Sequence, residues 1–97
     1  MKIVINTCYG GFSLSDFAVT ALELDSRYDS IPRTDARLIS LIEKYGSEIC
    51  SGMFATLEVV NIPDEATDWT IQEYDGNEDV LYVLDGEIQT AYKERRK

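Results

Sequence analysis

This 97-residue chain contains no histidine, and that absence limits the enzymatic mechanisms open to it. Histidine is the side chain whose ordinary pKa suits proton transfer near neutral pH. Without it, general acid–base catalysis would require a carboxyl, thiol or phenol group with a strongly shifted pKa. The sequence also lacks any recognised catalytic constellation. These absences favour a protein that acts by binding, with no predicted catalytic residue.

Basic side chains are scarce as well. The chain has 9 Lys and Arg against 18 Asp and Glu, for a formal net charge of −9. Residues 45–92 contain eleven acidic side chains and no Lys or Arg. Because phosphate binding depends on Lys and Arg, we expect no direct binding to nucleic acid or to an anionic membrane. The acidic stretch indicates either a basic partner protein or a surface that only keeps the protein in solution.

Cysteines and long apolar runs are few. Cys8 and Cys50 are the only cysteines, and without a recognisable signal peptide we expect reduced thiols of a cytoplasmic protein. No stretch approaches the roughly 20 apolar residues that cross a bilayer. No metal or cofactor motif is present. The sequence therefore predicts a soluble protein without a cofactor.

The first half of the chain predicts one strand followed by two helices. Residues 1–8 are rich in β-branched apolar side chains, which indicates a buried strand that ends at two consecutive glycines. Ser13 and Asp16 have the spacing of a capping box, so the first helix is expected to start at Leu14. Residues 24–32 have no usable period and predict a loop.

Both predicted helices are amphipathic. Thr34 or Asp35 can cap the second helix, and Gly46 is placed to end it. Because apolar residues recur at helical spacing, each helix is expected to bury one face against a sheet. These residues are Leu14, Phe17, Ala18, Ala21 and Leu22 in the first helix, and Leu38, Ile39, Leu41, Ile42 and Tyr45 in the second.

The second half predicts strands. Residues 47–52 indicate a short connector and residues 53–62 a strand, whereas residues 69–92 form β-rich runs separated by two Asp-Gly pairs, the strongest short-range hairpin signal. The predicted fold is a single α+β domain over residues 1–97. Both helices pack on one face of a mainly antiparallel sheet that a C-terminal β-meander completes, and the basic tail 93–97 is frayed.

The sequence also predicts which faces of two of these strands are buried. Alternation places Trp69 and Ile71 on one face of their strand and leaves the other face wet. Residues 80–84 have no polar face, which predicts a strand covered on both sides by the helices and by a second copy of the chain. The sequence therefore predicts a homo-oligomer.

The turn between the first strand and the first helix is a candidate anion site. Glycines let the backbone approach a ligand closely, and early helical N–H groups favour negative charge. Flanking aromatic rings can stack on a base, and arginines in the following loop can neutralise phosphates. The pattern is neither a dinucleotide fingerprint nor a Walker A motif, so a tight turn with Tyr9 and Phe12 in the core is the alternative. The predicted ligand-binding residues are Cys8, Tyr9, Gly10, Gly11, Phe12, Ser13, Arg27, Arg33 and Thr34.

A second candidate site lies in the acidic stretch. Asp75, Glu78 and Asp79 surround a glycine but lack the spacing of a calcium loop, so a hairpin turn is favoured over a metal site. Acidic side chains can instead mimic nucleic acid and occupy a basic groove. The predicted partner-binding residues are Asp75, Glu78, Asp79, Asp85 and Glu87.

Four sequence blocks resemble a family of small, mostly uncharacterised bacteriophage and prophage proteins. They are residues 1–15, which begin MKIVINTCYGGFSLS, and residues 31–35, 57–64 and 69–76. The resemblance implies no catalytic residues. It implies an accessory protein in the cytoplasm of a host bacterium that counters host defence by binding.

Two binding mechanisms and one alternative follow from the resemblance and the residues. In the first, the protein sequesters a small anionic ligand such as a nucleotide immune signal, using the glycine turn. In the second, the acidic stretch inhibits a basic defence nuclease. The alternative is a structural or housekeeping phage protein.

Overall fold

The computed structural model describes residues 1–25 and 31–91, which form a mixed α+β fold as predicted. Its elements, in chain order, are β1 (Lys2–Asn6), α1 (Asp16–Ala21), α2 (Ala36–Tyr45), α3 (Ser47–Cys50), β2 (Leu57–Asn61), β3 (Asp68–Tyr74), β4 (Asn77–Leu84) and β5 (Glu87–Thr90).

β1 and β2 form an antiparallel ribbon that is covered on both faces. Val4 pairs with Val59, and Val4 packs in one core with side chains of the three helices. Ile3 and Ile5 point the other way, since side chains alternate along a strand, and pack in a second core with Val80 of the meander. Burial on both faces explains why β1 is continuously apolar.

β3, β4 and β5 form a three-stranded antiparallel meander joined by the two Asp-Gly turns. Asp75 and Asp85 have φ of 51° and 53°, and Gly76 and Gly86 have φ of 87° and 78°. Positive φ at both central residues is the type I′ geometry whose twist matches that of a hairpin. Both predicted hairpins are confirmed.

Within the described ranges the strands divide into two hydrogen-bonded sheets, whereas the sequence was read as a single sheet. The reason lies at the free edge of β1. There the Val4 N–H donates to the Arg33 carbonyl at 2.8 Å, and the Asn6 N–H donates to the Glu78 carboxylate at 2.8 Å. Because these groups take the edge donors, no strand adds to β1 on that side. The helices lie on one face of the ribbon and the meander lies on the other.

The predicted start of the first helix is wrong, and the second helix is confirmed. α1 begins at Asp16 and is capped by Ser15, whose Oγ accepts from the Ala18 N–H at 3.1 Å. Leu14 cannot be helical because it forms a β-bridge with Ser51. In α2, Asp35 is the N-cap and Gly46 the C-cap, as predicted.

Other boundaries also differ from prediction. Residues 47–50 form the short helix α3 rather than a plain connector, and β2 begins only at Leu57. The predicted wet face of β3 is confirmed, since Trp69 and Ile71 are half-buried whereas Thr70, Gln72 and Tyr74 on the other face are exposed. The loop segment 26–30 and the tail 92–97 lie outside the described residues.

β4 is not covered on both sides in the way predicted. Val80 and Tyr82 are buried against the ribbon rather than against the helices, whereas Leu81 and Val83 are only half-buried on the outer face. That face carries an apolar cavity of about 140 Å³, which Ile88 also lines. A second copy of the chain on this face stays a prediction. Within the described part of the chain, no helix has the length and apolar character needed to cross a membrane.

Candidate functional site

The glycine turn does not lead into the first turn of a helix. Between Gly11 and the start of α1 the chain stays extended, since Ser13 accepts a hydrogen bond from the Gly52 N–H at 3.0 Å and Leu14 bridges to Ser51. The capping group is Ser15, and the acidic Asp16 occupies the first turn. The glycine turn and the first helical N–H groups are therefore separated by residues 12–15 rather than adjacent as predicted. Anion binding at the turn stays a prediction.

The glycines serve close packing between loops. A Cβ on Gly10 would overlap the carbonyl oxygen of Phe54, so only glycine fits there. Gly11 has φ of +90°, a conformation that L side chains rarely adopt. A Cβ on Gly76, in the β3–β4 turn, would lie 2.8 Å from the Tyr9 carbonyl oxygen. Three loops therefore meet around this turn: residues 8–12, 52–55 and 74–77.

The buried side chain of Asn6 joins the three loops. Its Nδ2 donates to the carbonyl oxygens of Cys8 at 2.7 Å and Gly76 at 2.6 Å. Its Oδ1 accepts from the Thr56 N–H at 2.8 Å. An amide supplies two donors and an acceptor in one plane, so one side chain satisfies backbone groups from three segments. This organises the loops into one rigid end of the molecule.

The Arg33 side chain forms a bidentate ion pair with Glu78. Nη1 and Nη2 lie 2.6 and 2.9 Å from the two carboxylate oxygens. Glu78 is almost fully buried and also accepts from the Asn6 N–H. The guanidinium lies 3.7 Å from the centroid of the Phe12 ring. One residue of the predicted anion site and one of the predicted acidic surface therefore neutralise each other in the interior.

The remaining residues of the predicted anion site are dispersed. Cys8 is half-buried and its thiol contacts the Phe54 carbonyl oxygen at 2.9 Å. Tyr9 is exposed, contrary to the alternative that placed it in the core. Thr34 is exposed beside Arg33, and Arg27 lies outside the described residues.

The predicted acidic set is also not one cluster. Asp75 lies in the β3–β4 turn, and Asp85 and Glu87 lie at the opposite end of β4. With about 3.3 Å per strand residue, the two ends are roughly 23 Å apart. Asp79 is half-buried on the outer face of the meander. Among residues 1–25 and 31–91, no group of three or more Cys, Asp or Glu side chains is placed to hold a metal ion.

Among the described residues, most basic side chains pair with carboxylates, whereas several exposed acidic side chains form no ion pair. Three of the four Lys and Arg side chains already contact carboxylates: Arg33 pairs with Glu78, Lys2 with Glu43 at 2.7 Å, and Arg37 with Asp35 at 3.4 Å. The fourth, Lys44, lies 5.2 Å from the Tyr45 ring centroid. In contrast, the exposed acids Asp75, Asp85 and Glu87 form no ion pair within the described ranges. Counting only residues 1–25 and 31–91, the exposed surface around the meander is therefore negative.

Local contacts and burial shift the pKa values of Cys50, Asp35 and Asp64. Burial raises the pKa of the Cys50 thiol, which keeps it protonated. For Asp35, burial is the largest influence and raises the pKa, but hydrogen bonds from Arg37 and Leu38 together outweigh it, so the pKa lies below 3.8. The hydrogen bond from the N-terminal ammonium at 2.7 Å, together with its charge, lowers the pKa of Asp64. These pKa shifts therefore arise from helix capping at Asp35, burial of Cys50 and the exposed ion pair between Asp64 and the N-terminus.

Sequence reasoning missed Asn6, Phe54 and Met53. Asn6 has a signal in the sequence, because a lone amide that ends an apolar strand indicates a buried hydrogen-bonding group. The predicted strand over residues 53–62 includes Met53 and Phe54, whereas both lie in an exposed loop before β2. Sequence also offered no signal that Glu78, one of eleven acidic residues in its half, would be buried.

The three loops thus form a preorganised end of the molecule with exposed aromatic side chains and a negative surround. No protein-family model matches the chain, and no curated protein or solved structure shows significant similarity to it.

Proposed function

We propose that this protein is a non-enzymatic inhibitor that uses its negative surface to occupy a basic site on a partner protein. The observation that supports this most directly is the difference in ion pairing between the basic and the acidic side chains of the described residues. Three of the four Lys and Arg side chains among the described residues pair with carboxylates, whereas Asp75, Asp85 and Glu87 face solvent. Complementary charge steers association and selects partners of the opposite sign.

The partner class follows from the extent of the negative surface. Acidic groups stand at both ends of the meander, so a partner would need an extended basic surface rather than one basic residue. Grooves that bind nucleic acid have this character, because they must contact successive phosphates. The resemblance to phage proteins makes a defence nuclease of the host bacterium the case to test first, with the protein acting in the host cytoplasm.

Sequestration of a small anionic ligand stays a prediction, and the geometry supports it less. Arg33, its principal cation, is neutralised by Glu78 at 2.6 Å. To bind a phosphate, the guanidinium would have to leave this pair and expose a buried carboxylate, which is costly. No contact within the described ranges favours such a ligand.

Inhibition of DNA cleavage tests the proposal. Purified basic defence nucleases are assayed with increasing amounts of the protein at several salt concentrations. The test variant is Asp75→Asn/Asp85→Asn, because Asn-Gly also suits a type I′ turn and preserves the fold. The control is Glu23→Gln/Glu48→Gln, which removes the same charge from exposed positions outside the meander.

We expect the wild-type protein to compete with DNA, with inhibition that weakens as salt rises. At roughly 0.5–1 kcal/mol for each lost charge contact, the test variant should inhibit about 5- to 30-fold less well. The control should match the wild type. Inhibition that ignores salt, or equal loss in both variants, would contradict the proposal. Calorimetric binding of a cyclic dinucleotide, with the ligand recovered unchanged, would favour sequestration instead.

A further inference from the structure

The loop end, defined as residues 8–12, 52–55 and 74–77, concentrates the exposed apolar side chains of the described chain. Tyr9 is 68% exposed, Met53 83%, Phe54 69% and Tyr74, where β3 meets its turn, 73%. Of the other large apolar residues in ranges 1–25 and 31–91, only Ile88, at 73%, is as exposed. Scattered exposure of this kind is ordinary, but concentration at one end indicates an interaction surface.

The loop end is also rigidly supported. The Asn6 amide bonds to backbone groups of Cys8, Gly76 and Thr56, at 2.6 to 2.8 Å. The close approach of Gly10 to Phe54 holds two of the loops together. A partner that docks here would order few backbone groups, so less of its binding free energy is lost to entropy. Aromatic and methionine side chains are enriched in such interface centres.

The chemistry of the surface specifies a cation. Tyr9, Phe54 and Tyr74 offer exposed aromatic side chains, and Asp75, in the turn that follows Tyr74, supplies an exposed carboxylate. The Glu73 carboxylate accepts a hydrogen bond from the Gly76 N–H at 3.2 Å in the same turn. A ring beside a carboxylate suits a guanidinium, which stacks on the ring and bonds to the acid.

The protein itself contains this arrangement in its interior. The Arg33 guanidinium lies 3.7 Å from the Phe12 ring centroid and pairs with the Glu78 carboxylate. An arginine of a partner would be held at the loop end by the same two kinds of group. Lysine would be held less well, because an ammonium lacks the flat face that stacks.

We infer that the loop end is the docking surface for an arginine-bearing segment of the basic partner protein. This inference rests on the proposed function and names where the partner is anchored. Charge complementarity selects the occupant, and the aromatic cluster selects arginine over lysine.

Two peptides of equal length and charge, one of alternating Arg and Gly and one of alternating Lys and Gly, serve as probes. Calorimetry or NMR titration should show the Arg peptide binding about fivefold more tightly than the Lys peptide, a range typical of exposed cation–π contacts. Tyr9→Ala/Phe54→Ala should remove this preference and weaken Arg-peptide binding about fivefold or more. The control Ile88→Ala removes an equally exposed apolar side chain elsewhere and should leave both affinities unchanged. Thermal unfolding confirms that each variant is folded.

Equal affinity for the two peptides, or equal loss in Ile88→Ala, would overturn the inference. The nuclease assay separates this failure from failure of the proposed function. If Tyr9→Ala/Phe54→Ala inhibits like the wild type while Asp85→Asn/Glu87→Gln, which lies outside the loop end, does not, the docking surface is wrong and the acidic inhibitor stands. If the wild type inhibits no basic nuclease but still prefers the Arg peptide, the proposed function is wrong and the docking surface stands.

Discussion

The ion pair between Arg33 and Glu78 should be a main determinant of stability. It joins the segment before α2 to β4, and Glu78 also accepts from β1 through the Asn6 N–H. The Glu78→Gln variant tests this with little change in shape. The amide oxygen can still accept from the Asn6 N–H, whereas the amide NH2 replaces the oxygen that accepts from Arg33 Nη2, so the substitution removes the negative charge and one hydrogen bond.

The cost follows from burial. The Arg33 and Glu78 side chains are 24% and 6% exposed, so the arginine would keep its charge in a site with little water. Removing one partner of a buried ion pair costs about 3–5 kcal/mol. Because the Phe12 ring still stacks on the guanidinium, we expect about 3 kcal/mol. For a domain of this size, that lowers the melting temperature by roughly 12–24 °C.

Urea unfolding followed by the fluorescence of Trp69 measures the loss. Arg33→Met/Glu78→Gln should be less destabilised than Glu78→Gln alone, because it leaves no unpaired charge. We therefore expect a coupling of at least about 1 kcal/mol in a double-mutant cycle. A Glu78→Gln loss below about 0.5 kcal/mol, or strictly additive effects, would falsify the assignment of stability to this pair.

Two further variants probe the glycine turn and the second helix. Gly10→Ala should lower the free energy of unfolding by about 1–3 kcal/mol, because the new methyl group overlaps the Phe54 backbone. Gly11→Ala should lower it by about 1 kcal/mol, because only the positive φ opposes a side chain there. Equal urea midpoints would contradict this ranking. Asp35 has a folded-state pKa below 3.8, so its contribution is complete above about pH 5 and is lost as the pH falls through 3.8 to the folded value. Asp35→Asn, which still caps a helix, should therefore be less stable than the wild type at pH 7, and the difference should shrink as the pH falls below 3.8. A pH-independent difference would show that the charge does not matter.

The features that local sequence could predict were those set by local physics. The two Asp-Gly turns were predictable because only a few residues tolerate positive φ at both turn positions. The cap at Asp35 and the stop at Gly46 were predictable because helix ends require specific backbone partners. The α+β class followed from these local patterns. The start of α1 was not predictable, because a bridge from Leu14 to the distant Ser51 overrides a local capping signal.

The candidate site shows the same division. The sequence by itself determined that the glycine block is a special turn and that one half of the chain is strongly negative, since both are properties of residue type. Only the tertiary structure decided that Arg33 is neutralised by Glu78, 45 residues away, and that Asn6 gathers three loops whose exposed rings face outward. A charge or an aromatic ring acquires its role from what long-range folding places beside it, and no local pattern records that neighbour.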